Sequence, residues 1–245
     1  MKKLLPILFV LIITSCSKEV PSDQLVIRDG IYYEVNSQTP FSGTSLSYHN
    51  DGQLDYREHF KDGKVDGLVE GYHENGQLKV RTNYQDGKKQ GLREDYYKNG
   101  QLWVTENYKD GEKHGLQVEY YKDGQSKSKE NYKDGQKHGL HEDYYENGQL
   151  EEKRNYKDGK EDGPMMDYYE NGQLRVKGNY KDGELHGPMM DYHKNGQLSR
   201  KVNWKDGFDG LSFIYKETGE FYFSMCYKNG EYIGKSDLID DSYCD

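Results

Sequence analysis

The chain is short of most of what a compact domain is built from. Only 33% of its 245 residues are hydrophobic, which leaves little to fill a thick apolar core. Three cysteines, Cys16, Cys226 and Cys244, are too few for a disulfide framework or a thiolate zinc centre. No 3.6-residue apolar period survives anywhere beyond the first residues, and glycine recurs at least three times in every 24 residues, so helix is disfavoured throughout. Without a helix there is no glycine loop leading into a helix N-terminus to cradle phosphate. Basic charge is in deficit, with 34 Lys and Arg against 43 Asp and Glu and a net charge of −9. Phosphate backbones and anionic headgroups repel such a chain, and nucleic acid is not an expected partner.

What the chain has in abundance is repetition. YYENGQL stands at 144–150 and again at 168–174. Gly52, Gly76, Gly100, Gly124, Gly148, Gly172 and Gly196 close one series of Asn-Gly or Asp-Gly turns. A second series, Gly63 to Gly207, closes Lys-Asp-Gly or Gln-Asp-Gly turns, and a third, Gly67 to Gly187, marks Lys-x-His-Gly and its variants; all advance by 24. A fixed period in this range signals a repeat architecture. Each unit holds two strand-like runs; those at 91–97 and 101–108 contain no proline and are bounded by Asn-Gly and Asp-Gly, which is the hairpin signal. The expected fold is all-β: an elongated single-layer antiparallel meander of about eight double-strand repeats. About sixteen strands spaced some 4.8 Å apart would extend on the order of 75 Å.

Parity predicts the turns. A three-residue loop at Lys98-Asn99-Gly100, with glycine left-handed at its third position, sets Tyr96 opposite Leu102. Treating Lys109-Asp110-Gly111 alike sets Val104 opposite Leu116 and gathers Leu92, Tyr96, Leu102, Val104, Tyr108, Leu116, Val118 and Tyr120 on one face. The unit at 205–211 is one residue short, and beyond it the apolar residues shift to odd numbers: Leu211, Phe213, Tyr215, Phe221, Phe223, Met225 and Tyr227. Twenty-four tyrosines stand in for aliphatic core, and Tyr84, Tyr108, Tyr132, Tyr156, Tyr180 and Trp204 are expected to stack in a column.

The unit Y-Y-E-N-G-Q-L-x-x-x-x-N-Y-K-D-G-K-x-H-G resembles the bacterial variant of the MORN repeat over residues about 41–234, with 28–43 looking like a degenerate first unit. The resemblance implies a curled antiparallel sheet with little chemistry, in a family often labelled antitoxin-like. Glycan-binding hairpin repeats are a second, more distant likeness, but they lean on paired tryptophans and this chain has only Trp103 and Trp204.

Residues 1–15 have the layout of a signal peptide, with Lys2 and Lys3 before an apolar run from Leu4 to Ile13. The ending Ile13-Thr14-Ser15-Cys16 resembles a lipobox, which implies that Cys16 becomes the first mature residue and carries the lipid, palmitate included. Several acyl chains hold a protein on a bilayer durably. Ser17 resembles the outer-membrane sorting pattern, so the expected location is the outer membrane, on its periplasmic face or at the cell surface. Residues 16–27 are then a tether, 28–234 the repeat domain and 235–245 a tail. In an oxidising compartment Cys226 and Cys244 could pair.

His114, His138 and His186 recur at one repeat position, but equivalent positions lie about 9.6 Å apart, too far to share a zinc ion. They read as polar turn residues, and neither metal nor cofactor is expected. Repeating residues are accounted for by the fold and no separate Ser, His and acid trio stands out, so the chain reads as non-enzymatic. Tyr97, Tyr121, Tyr145 and Tyr169, flanked by His73 and His193, form a second column beside the Asn-Gly edge; they either buttress the sheet or make a recognition surface. The expected role is a lipid-anchored scaffold for an unidentified protein partner, with a glycan- or cell-wall-binding module or an antitoxin-like protein as alternatives.

Overall fold

The computed structural model describes residues 18–204, 210–228 and 231–237. One long, mostly antiparallel sheet runs through them, and no α-helix occurs among the described residues. At the amino-terminal end β1 (Glu19–Pro21) pairs in parallel with β4 (Gly43–Tyr48), while β2 (Leu25–Arg28) and β3 (Ile31–Glu34) form a separate hairpin. Much of the expected tether is therefore folded. Val20, Phe41 and Phe60 make a small core beneath that hairpin, flanked by Leu25, Tyr32 and Val65. From there each strand pairs with the next in chain order: β5 (Leu54–Lys61), β6 (Lys64–Tyr72), β7 (Leu78–Gln85), β8 (Lys88–Tyr96), β9 (Leu102–Lys109), and on to Glu231–Ser236.

The Asn-Gly loops are three residues long, as parity predicts. The Tyr97 amide donates to the Gln101 carbonyl at 2.8 Å, and Gly100 sits at φ 84°. The Asp-Gly loops are not. Lys109 pairs with Glu112, and Asp110 and Gly111 have φ of 53° and 91°, a two-residue turn with both residues left-handed that suits strand twist.

A second departure follows Leu102. Tyr96 pairs with Leu102, yet Asp95 pairs with Val104, so Trp103 is an extra residue looped out of the ladder. A single bulged residue reverses every side chain beyond it. The single apolar face expected from parity is therefore split. Leu92, Tyr96, Leu102, Leu116, Val118 and Tyr120 lie on one side, whereas Val104 and Tyr108 lie on the other with Asp95, Arg93 and Glu106. The same shift divides the carboxy-terminal set, with Leu211, Phe213, Tyr215 and Phe221 on the first side and Phe223, Met225 and Tyr227 on the second.

The second side, called here the inner face, holds most of the buried residues of the repeats: Val69, Val80 and Thr82 near one end, Met165, Val176 and Val202 towards the other. Between them the buried side chains are polar, namely Asp95, Glu106, Ser128, His141, Arg154 and Asp167. In the expected column the rings of Tyr84, Tyr108, Tyr132, Tyr156 and Tyr180 do not stack on one another. A lysine from the intervening strand lies between successive rings: Lys89 is 4.7 Å from the Tyr108 ring centroid, Lys113 5.0 Å from Tyr132 and Lys137 5.2 Å from Tyr156. Rings about 9.6 Å apart are out of contact, and an ammonium over each face contributes about 0.5–1 kcal/mol in their place.

Candidate functional site: the Asn-Gly edge and the inner face

Recurrent polar residues join each repeat to the next. The Tyr97 hydroxyl donates to the Tyr120 carbonyl at 2.8 Å, Tyr121 to Tyr144 at 2.6 Å, Tyr145 to Tyr168 at 2.7 Å and Tyr169 to Tyr192 at 2.8 Å. Where histidine replaces this tyrosine, Nε2 does the same work: His49 reaches the Tyr72 carbonyl, His73 that of Tyr96 and His193 that of Tyr215. The second tyrosine column is thus a clasp between repeats. Its rings are half-buried, and each is pinned at its tip. Asn75, Asn147 and Asn195 add a parallel link to Lys98, Glu170 and Glu217 carbonyls.

The position of the recurrent histidines is a further clasp. Asp66, Gln90 and His138 accept from the backbone N–H of Asp86, Asp110 and Asp158, the first residues of the following Asp-Gly turns. His114 instead sets its Nδ1 3.3 Å from the Asp134 carboxylate. Interchange of Asp, Gln and His follows, since any acceptor suffices.

Among the described residues, His141, Asp143 and Glu152 place three potential ligand atoms within 4.8 Å of one another. His141 escaped the sequence reading because its position holds Val69, Arg93, Gln117 and Met165 in other repeats. Its Nε2 lies 3.0 Å from Asp143 and its Nδ1 3.2 Å from Glu130. Burial works against charge on this ring, but bonding to Asp143 and Glu130 outweighs it and pushes the pKa up to about 9. The bond to His141 in turn holds Glu130 far below the usual carboxylate range. With the ring protonated at both nitrogens the group is an ion-pair cluster, completed by Lys137 on Glu130 at 2.7 Å.

This fixes a pH dependence. The folded pKa of His141 is raised, so its contribution is complete below the ordinary histidine value and is lost as pH rises through about 9. Unfolding followed by circular dichroism should show stability falling by about 2 kcal/mol between pH 6.5 and 9.5, a slope that His141→Gln removes. An unchanged slope in the variant would refute the assignment.

Next to this cluster Arg154 reaches Asp167 at 2.6 Å, Glu152 at 3.1 Å and Glu161 at 3.5 Å. Asp143 and Asp167 sit directly across from Glu152 on either side. Burial raises the Glu152 pKa, and these two carboxylates add to the shift while Arg154 opposes it. The face is a network of paired charges that ties neighbouring strands together.

The expected cysteine pair is only partly in view. Cys226 is buried and disulfide-bonded, while Cys244 lies outside the described residues, as does Cys16 with the signal segment.

No curated protein matches the chain. Its repeats match the MORN repeat variant at residues 42–62, 65–86, 89–110, 113–134, 137–158, 161–182 and 185–206, the same turn-to-turn units that the clasps connect. These segments make up more than half of the sequence, and the chain belongs to the MORN repeat variant family.

Proposed function

We propose that the protein is a non-catalytic repeat scaffold, held at the outer membrane by lipid on Cys16, that receives a protein partner along its Asn-Gly edge. One observation carries this reading: Tyr97, Tyr121, Tyr145 and Tyr169 form a row of half-exposed rings whose hydroxyls are already bonded to the next repeat. Rings fixed before contact lose little freedom on binding, which favours affinity. The recurrent polar groups are committed to bonds between repeats, which supports a binding role over a catalytic one.

The test uses the intact protein in membranes, photo-crosslinked from the tyrosine edge. Tyr121→Ser with Tyr145→Ser should abolish a saturable heteromeric complex. The corresponding Phe pair keeps the ring faces and should retain it, with about 1 kcal/mol of stability lost for each missing hydrogen bond. Undiminished complex in the Ser pair, or saturable binding of glycans alone, would overturn the reading. Cys16→Ala should move the protein out of the membrane fraction.

A further inference from the structure

The bulged position of each repeat points to a ligand. It is occupied by Asp55, Lys79, Trp103, Lys127, Glu151, Arg175 and Ser199 in turn. Lys127 places its ammonium 2.9 Å from Glu119, and Arg175 places its guanidinium 3.0 Å from Asp167. In both cases the bulged residue neutralises the inner-face acid eight positions before it. In the repeat of Trp103 that acid is Asp95, which Arg93 of the same strand holds, and the bulge supplies an indole where its neighbours supply a cation.

The surroundings suit a cation from outside. Trp103 is 45% exposed despite its size. It lies 6.1 Å from the Tyr97 ring, and its Nε1 is 3.4 Å from Glu119 Oε1. Together with Asp95, Glu106 and Glu119 it borders a recess of about 270 Å³. Arg93 is the one cationic residue in that lining, and it is divided between Asp95 and Glu106. Asp95 is buried; its Oδ1 accepts from Arg93 Nη2 at 2.8 Å, while its Oδ2, 2.8 Å from Arg93 Nε, makes no hydrogen bond. Glu106 is also held by Lys113 at 2.6 Å, and Glu119 by the exposed Lys127.

We propose that this recess is a binding site for an arginine side chain on a basic segment of the partner protein, stacked on Trp103 and paired with the Asp95 and Glu119 carboxylates. It rests on the scaffold reading and names the partner's chemistry. A guanidinium is flat enough to stack on indole and presents several donors to neighbouring carboxylates, which suits it better than an ammonium. The incoming group takes the place that Lys127 and Arg175 side chains take in their own repeats. The chain's negative charge draws a basic segment towards it from a distance.

Calorimetry of the intact protein with a short arginine-bearing peptide tests this, with the same peptide carrying citrulline for arginine as the neutral counterpart. The arginine peptide should bind saturably and more weakly as salt rises. Citrulline should weaken it by about tenfold or more, the scale expected when a charge-assisted bond is lost. Trp103→Lys, which writes the residue of two other repeats into this one, should fold normally and weaken binding at least as much. The proposal is overturned by the absence of saturable heat with the arginine peptide, by equal binding of the citrulline peptide, or by undiminished binding to Trp103→Lys. Because the Tyr121→Ser and Tyr145→Ser pair leaves the recess intact, failure of the scaffold reading shows in that pair, and failure of the recess shows in Trp103→Lys.

Discussion

Gly63→Ala is expected to destabilise the amino-terminal end by about 3 kcal/mol, whereas the equivalent change one repeat later, Gly87→Ala, costs about 1 kcal/mol. Both glycines end a two-residue turn at positive φ, 75° and 82°, so both alanines carry the left-handed penalty. Only Gly63 is enclosed. Its amide donates to the Phe41 carbonyl and its carbonyl accepts from the Tyr32 amide, each at 2.8 Å. A Cβ there would run into Ile31 Cγ2 and come within 2.9 Å of the Tyr32 carbonyl, while one on Gly87 meets nothing within 4 Å. The backbone of β3 cannot yield without lifting the hairpin from Phe60, whose ring lies 4.8 Å from that of Tyr32. Urea unfolding of the two variants checks the difference; equal losses would mean that the hairpin does not rest on this turn.

The second large effect is at Arg154. Arg154→Val should cost about 3 kcal/mol, because it leaves Asp167, itself buried, without its shortest ion pair. The exposed Arg175 still reaches Asp167 and limits the loss. Adding Asp167→Asn should recover most of it, since the charge that lacked a partner is then gone. The sequence itself supplies the precedent: equivalent positions hold Val202 for Arg154 and Gly71 for Asp167. Repeat arrays can unfold by region, so hydrogen exchange over residues 137–181 is the measurement of choice. Equal instability of the single and double variants would show that the pair is not coupled.

Much of the fold was legible because turns are written in residue types that few other conformations need. Glycine at Gly100 and Asn-Gly or Asp-Gly at regular spacing locate the hairpins before any packing is considered. The bulge at Trp103 was not legible, since counting residues cannot show that one of them has left the ladder. Its only trace is the lack of pattern at that position, from Lys79 to Ser199, directly after a position that holds Leu78, Leu102, Leu150, Leu174 and Leu198. That omission placed Val104 on the wrong side and hid the inner face. The ion pairs of His141 and Arg154 were invisible for another reason: they join residues that vary between repeats, and periodicity reveals only what recurs. The tyrosine clasps lay between these extremes. The column was plain, but its purpose required knowing that a carbonyl lies within reach 23 residues further on.

Those links run one way along the chain, from an earlier unit to a later one, so a copied unit arrives with a donor for its successor and an acceptor for its predecessor. Gene duplication in blocks of one period therefore lengthens the protein without redesigning any junction. The reach of the molecule from its starting point becomes a quantity that selection can tune in steps of about 9.6 Å, two strand spacings at a time.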